Sequence, residues 1–146
     1  MVAVTEKPSL TLVRNYKASP EKVWRALTEP GALVQWMGVA NAPRPPIVEA
    51  DVRVGGQLHI VMHAPDGEVH EVFSTYKEVV PNRRLVYSWA WKSTPERESQ
   101  VTIELRESAG GTQLTLRHEQ FFDEPARDRH EGGWNVCLAR LDALLA

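Results

Sequence analysis

Two histidines and one glutamate are the side chains whose types and placement best suit chemistry. In Leu114-Thr115-Leu116-Arg117-His118 the alternation puts Leu114, Leu116 and His118 on one strand face. His130 shares a helical face with Ala126 and Trp134, and Glu71 faces inward if the hairpin before it has a two- or four-residue loop. An imidazole beside a buried carboxylate is an acid/base pair or an anchor for a ligand hydroxyl. The same histidine with both ring nitrogens bonded inside the core is purely structural, and both readings stand at this point.

The other chemistry-bearing residues are dispersed. His59 and His63 share a strand face, but four residues at about 3.3 Å each set them ~13 Å apart, too far to hold one ion. His63 and His70 meet across the same hairpin on its outer face, with no third ligand in view. No metal is expected. Gly55-Gly56 and Gly110-Gly111 stand where hairpin turns belong rather than in a phosphate loop, and no serine has the strand-turn-helix setting of a nucleophile elbow. Cys137, the single cysteine, lies on an apolar helix face and reads as a small packed residue. Neither a catalytic residue nor a cofactor is expected.

The tryptophans carry more weight. Trp36, Tyr87, Trp89, Trp91 and Trp134 either line a pocket for an apolar guest or simply fill the core, while Trp24 belongs to a helical elbow. At ~25 cal/mol/Å² a buried tryptophan contributes on the order of 4–6 kcal/mol as an upper bound, so the fold alone justifies them. With 146 residues and a formal net charge of -2, the chain has one domain's worth of core and no basic footprint for nucleic acid. It shows no basic-then-apolar leader and no apolar run of membrane-spanning length, so a cytoplasmic protein without membrane insertion is expected.

The elements that must position these residues follow from the chain in order. Residues 1–9 read as a loosely held tail, and a strand over residues 10–18 leaves its inner face ambiguous, because Leu12 and Tyr16 share a parity with Arg14. Ser19-Pro20 and Glu29-Pro30 start two short helices, the second closed by Gly38, and the proline-rich residues 41–46 form a loop. Strands are predicted over 47–54 and 57–63, the latter with Leu58, Ile60 and Met62 on the core face. An even loop at Pro65-Asp66-Gly67 sets Val69, Glu71 and Phe73 beside them. The face Leu85, Tyr87, Trp89 and Trp91 then meets Phe73 only if the Pro81-Asn82 connection is odd or a bulge lies near Ser74. Val101, Ile103 and Leu105 pair with His118, Leu116 and Leu114 across Ala109-Gly110. A long helix from Pro125 presents Ala126, His130, Trp134, Cys137, Leu138, Leu141 and Leu145. Gly132-Gly133 inside it cost about 1 kcal/mol each relative to alanine, which suggests a close approach to the sheet or a bend where a ligand enters. The sum is an antiparallel α+β domain with one concave side, crossed by the last helix.

The run from Ser19 to Pro30, then Leu33-Val34-Gln35-Trp36-Met37-Gly38, Asp51 to Gly56, Arg84 to Trp89 and His130-Glu131-Gly132-Gly133-Trp134 resembles the bacterial homologues of the activator of heat-shock chaperone ATPase. These AHSA-type proteins belong to the START-like, helix-grip (SRPBCC) superfamily, with polyketide cyclases, lipid-transfer domains and the birch pollen allergen. The resemblance covers roughly residues 10–145. It implies a seven-stranded antiparallel sheet curled around the C-terminal helix with a hydrophobic cavity between them. The eukaryotic activator carries a further N-terminal domain that docks on its client, and no counterpart of it is expected ahead of Leu10.

The reading is therefore a START-like domain over residues 1–146 that binds a small apolar or aromatic molecule, as monomer or homodimer. Its walls would be Trp36, Leu58, Ile60, Met62, Phe73, Tyr87, Trp89, Trp91, Ile103, Leu116 and Trp134, with Glu71, His118 and His130 as polar neighbours. Two alternatives stay open. One is a cyclase- or hydrolase-like enzyme using those three polar groups in the same cavity. The other is a chaperone-activating or other protein-interaction module.

Overall fold

The computed structural model describes residues 7–146. It places β1 at Leu10–Tyr16, α1 at Pro20–Thr28, α2 at Pro30–Trp36, β2 at Ile47–Ala50 and β3 at Gln57–His63. Then come β4 at Val69–Val80, β5 at Arg84–Trp91, β6 at Ser99–Ser108, β7 at Gly111–Glu119 and α3 at Glu124–Leu145. The strands form one antiparallel sheet of order β1-β7-β6-β5-β4-β3-β2, curled around α3. This is the helix-grip arrangement. Residues 1–6 of the expected tail lie outside the described residues, and Pro8 is tied down, its carbonyl accepting the Phe121 N–H at 3.1 Å.

Local chemistry starts the helices where the sequence places them. The Ser19 hydroxyl accepts the Lys22 N–H, the Asp123 carboxylate accepts the Ala126 N–H at 2.9 Å, and prolines 20, 30 and 125 sit in first turns that need no proline N–H. The ambiguous parity of β1 resolves with Leu10 and Tyr16 buried on the inner face. Arg14 shares that face but lies at the edge of α3, where it donates to Asn135 Oδ1 at 2.5 Å. The Tyr16 hydroxyl donates to the Leu138 carbonyl at 3.1 Å, so β1 holds the C-terminal half of the helix.

The β6–β7 ladder has the expected register, with Val101 opposite His118, Ile103 opposite Leu116 and Leu105 opposite Leu114. The β3–β4 hairpin does not. Ala64 N–H bonds to the Glu68 carbonyl and Gly67 N–H to the Ala64 carbonyl, leaving a three-residue loop with Gly67 at φ 90°. An odd loop reverses the parity. His59 faces Phe73, Val61 faces Glu71, and Ile60 faces Val72. Val72, Ser74 and Tyr76 therefore point inward, and Glu71 and Phe73 point out, contrary to expectation. The anticipated kink is present, but between Tyr76 and Glu78 rather than at Ser74, and Val80 and Arg84 flank a three-residue connection. Strand β2 also ends early, at Ala50, because the Gly56 and Arg53 N–H groups fold back onto the Arg53 and Asp51 carbonyls in a tight turn.

The buried residues form one cluster. Leu58, Ile60, Tyr87, Ile103 and Leu116 fill it from the sheet, and Leu138, Leu141 and Leu145 from α3. Trp36 is only 1% exposed there, its indole N–H donating to the Ala26 carbonyl at 2.8 Å, which locks the two short helices together.

The close approach expected at Gly132-Gly133 is absent: a Cβ at either position meets nothing within 4 Å. The crowded glycines are Gly56 and Gly111, where a Cβ would sit 2.0 Å from the Asp51 and 2.1 Å from the Tyr16 carbonyl oxygen. Gly111→Ala is thus expected to lower stability by about 2 kcal/mol or more, through a clash with backbone that cannot move aside. Gly132→Ala should instead raise it by up to about 1 kcal/mol, and urea unfolding midpoints of the two variants check both.

Candidate ligand site

Six positions of α3 face the sheet along its first four turns: Ala126, His130, Gly133, Trp134, Cys137 and Leu138. They follow helical spacing, but three of the first five carry side chains of one heavy atom, none, or two. Small residues on the covering helix leave volume beneath it. A cavity of about 510 Å³ lies there, walled by Met37, Val39, Met62, Trp89, Trp91, Phe121, Ala126, His130, Gly133, Trp134 and Cys137. Ser93, Thr94 and Arg97 of the β5–β6 loop, Phe122, and Arg129 of α3 form its mouth, and His70 and Gly38 complete it.

Aromatic rings make the floor. Trp89 lies 5.5 Å from Trp134 and 5.7 Å from Trp91 between ring centroids, while Phe121 is 4.2 Å from His118 and 4.9 Å from His130. Two indole N–H groups donate to two imidazoles: Trp91 to His130 Nε2 at 2.9 Å and Trp134 to His118 Nδ1 at 3.0 Å. Each acceptor nitrogen must be unprotonated, and this fixes the tautomers. His130 then donates from Nδ1 to the Ala126 carbonyl at 2.6 Å, and His118 from Nε2 to Ser99 Oγ at 2.7 Å. Ser99 passes its own proton to the Trp89 carbonyl at 3.3 Å. The two rings sit 5.2 Å apart as opposite neutral tautomers.

Both imidazoles are therefore committed to protein partners. His118 is fully buried and offers no free nitrogen to a ligand hydroxyl, which removes the anchor expected of it. Glu71 lies on the opposite face of the sheet, 3.0 Å from Lys92 and 3.4 Å from His59, and the Lys92 bond holds its carboxyl below the ordinary carboxylate value. It cannot form an acid/base pair with either inner histidine. Phe73 stacks on His59 at 4.5 Å on that same outer face. Cys137 is buried with its thiol donating to the Gly38 carbonyl, and burial raises its pKa, so it is held as a neutral thiol.

Of the side chains expected around a ligand, Met62, Trp89, Trp91, His130 and Trp134 line the cavity. Trp36, Leu58, Ile60, Tyr87, Ile103 and Leu116 are spent in the filled part of the core, away from it. Sequence reasoning missed Met37, Val39, Phe121, Phe122 and Arg97, which come from connections where no periodicity marks a face, and Arg129, which lies on α3 outside its apolar stripe. A polar opportunity was also missed: the buried Trp89 indole N–H has no acceptor among the described residues.

A second concavity of about 520 Å³ lies across the Gly38-Val39 backbone, between the proline-rich loop and Arg140, and shares Met37, Gly38, Val39 and Met62 with the first. Arg140 donates to the Gly38 and Val39 carbonyls, at 2.9 Å for the latter. The wall between the two spaces is held to α3 by that arginine and by Cys137.

The family model described as "Activator of Hsp90 ATPase homolog 1-like protein" matches residues 17–146. The chain belongs to this family. It is 31% identical over 126 residues to the human "Activator of 90 kDa heat shock protein ATPase homolog 1" and 30% identical to the mouse protein of that name. The match takes in 86% of this chain but 33% of either relative, so the chain spans about a third of their length. Among solved structures, protein CV1439 from Chromobacterium violaceum is similar with a TM-score of 0.83 and 28% identity, covering 94% of this chain and 96% of that one. CalU16 from Micromonospora echinospora is similar with a TM-score of 0.73 and 26% identity, over 94% and 76% of the two chains.

The tautomer assignment has a thermodynamic consequence. Burial holds the His118 imidazole well below its ordinary value of 6.5, with repulsion from His130 adding to it. Burial likewise depresses His130, and Arg129 adds to this while the Ala126 bond opposes it. Below about pH 6.5 the unfolded chain takes up protons that the folded one refuses, so stability is complete above that pH and falls beneath it. The slope is up to about 1.4 kcal/mol per pH unit for each histidine. Urea midpoints are expected to drop between pH 6.5 and 5.5, above the range where carboxylates titrate, and a flat profile there would contradict the neutral pairs.

Proposed function

We propose that this chain binds a small hydrophobic molecule, preferably one bearing an aromatic ring, in the cavity beneath the N-terminal half of α3. The observation that carries the reading is the cavity itself: about 510 Å³ left unfilled between aromatic walls, where the neighbouring concavity has no aromatic ring but that of His63 in its lining. A volume of that size falls within the ~300–1,000 Å³ typical of small-molecule sites. Unfilled apolar volume forfeits dispersion contacts, so the fold carries a cost that a guest would offset. Helix propensity points the same way. Gly133 lines the space, has room for a Cβ, and costs about 1 kcal/mol relative to alanine, which fits a position kept small for a ligand. The bonded state of His118 and His130 and the outward position of Glu71 favour binding over acid/base catalysis by these groups.

The probe for this reading is N-phenyl-1-naphthylamine, an uncharged apolar fluorophore. Saturable enhancement of its emission at one site per chain, with quenching of tryptophan emission, is the expected result. Gly133→Phe places a ring in the cavity from the exposed helix backbone and should abolish saturation while leaving the urea midpoint within about 1 kcal/mol of the parent. No saturable binding by the parent chain, or binding indifferent to Gly133→Phe, would remove the proposal.

A further inference from the structure

The formally charged side chains around this cavity are of one sign. Its lining includes Arg97 and Arg129 and no aspartate or glutamate, in a chain whose formal net charge is -2. The two arginines approach from different elements, one on the β5–β6 loop and one on the first half of α3. Four arginines elsewhere, Arg53, Arg84, Arg117 and Arg127, lie within 3.2 Å of a carboxylate oxygen, and Arg14 and Arg140 are spent on other protein acceptors. Among the described residues, neither Arg97 nor Arg129 has a carboxylate within 4.0 Å.

Each of the two has a link to the site. The Arg97 guanidinium lies over the Phe122 ring, 3.8 Å from its centroid, and Phe122 is 56% exposed at the mouth. That contact sets a fixed positive charge beside an apolar rim and leaves the guanidinium edge free to donate. Arg129 is exposed on α3 and lines the mouth beside its neighbour His130. Within the wall, the buried Trp89 indole is a donor without an acceptor. Beside the Ser93 and Thr94 hydroxyls at the mouth, the groups with unused hydrogen-bonding capacity are N–H donors, two of them cationic, and no anionic acceptor lines the space. The complement is a guest that accepts hydrogen bonds and carries negative charge at one end.

We infer that the ligand is an apolar, ring-bearing molecule with a single acid group, held with its apolar body among Trp89, Trp91 and Trp134 and its anion between Arg97 and Arg129. This rests on the cavity-binding reading above and adds the charge of the guest to it.

A matched pair of probes separates the two. 8-Anilino-1-naphthalenesulfonate has the carbon skeleton of N-phenyl-1-naphthylamine plus one sulfonate, so the ratio of their affinities isolates the anion. Two ion pairs at exposed strength make the sulfonate bind about five- to thirtyfold more tightly. The advantage shrinks as salt is raised. In the double variant Arg97→Gln, Arg129→Gln the ratio of the two affinities is expected to fall to near one, with a urea midpoint confirming that the chain is folded. If the neutral probe binds and Gly133→Phe blocks it, but the sulfonate has no advantage or keeps it in the double variant, the anion inference fails and the cavity reading stands. If neither probe saturates, both fail together.

Discussion

A long helix laid across a curled sheet has to be held there even where it touches little beneath it, and two indole-to-imidazole hydrogen bonds meet that requirement. The C-terminal half of α3 rests on leucines, with the Tyr16 hydroxyl and Arg140 adding bonds there. The N-terminal half spans an open volume, and Trp91 reaches up from β5 to His130 while Trp134 reaches down from the helix to His118 on β7. Each bond runs from a large apolar ring whose one polar atom is a donor to a ring that accepts only when neutral. Burial and neutrality reinforce one another, since the apolar setting that makes a positive imidazole unfavourable is the setting in which these bonds are strongest. The space under the helix is therefore bridged without being filled.

Much of this was legible in the sequence, and the limits were physical. The β6–β7 register could be read because apolar residues alternate without a break on both sides of a two-residue turn. The face of α3 could be read because its apolar positions recur over five turns. The side of Glu71 and Phe73 could not, since Pro65-Asp66-Gly67 suits an even or an odd loop and one residue of difference sends every following side chain to the other face. The resemblance to the activator family carried the architecture, and the chain's membership in that family and its likeness to protein CV1439 agree with it.

The site was harder to read than the fold because half of its boundary is loop. Met37, Val39, Arg97 and Phe122 belong to connections, where spacing says nothing about direction. The tryptophans gave a partial signal, since their size marks them as interior but not whether a neighbouring space is occupied. What separated Trp36 from Trp134 was their neighbours: Trp36 ends α2 and is packed against α1, while Trp134 shares its face of α3 with alanine, glycine and cysteine. Gly133 of α3 was the sequence's most direct trace of the cavity, readable as such only once a missing Cβ was known to face open space.

The partition between the two concavities has a consequence of another kind. It is a short length of main chain at Gly38-Val39, fastened to α3 by Arg140 and by a thiol rather than by interlocked side chains. A barrier held by hydrogen bonds at the margin of the core can be loosened without emptying the core. Under the cavity-binding proposal, the length of guest admitted would thus be set by how firmly this segment is held, with positions 137 and 140 as its two fastenings.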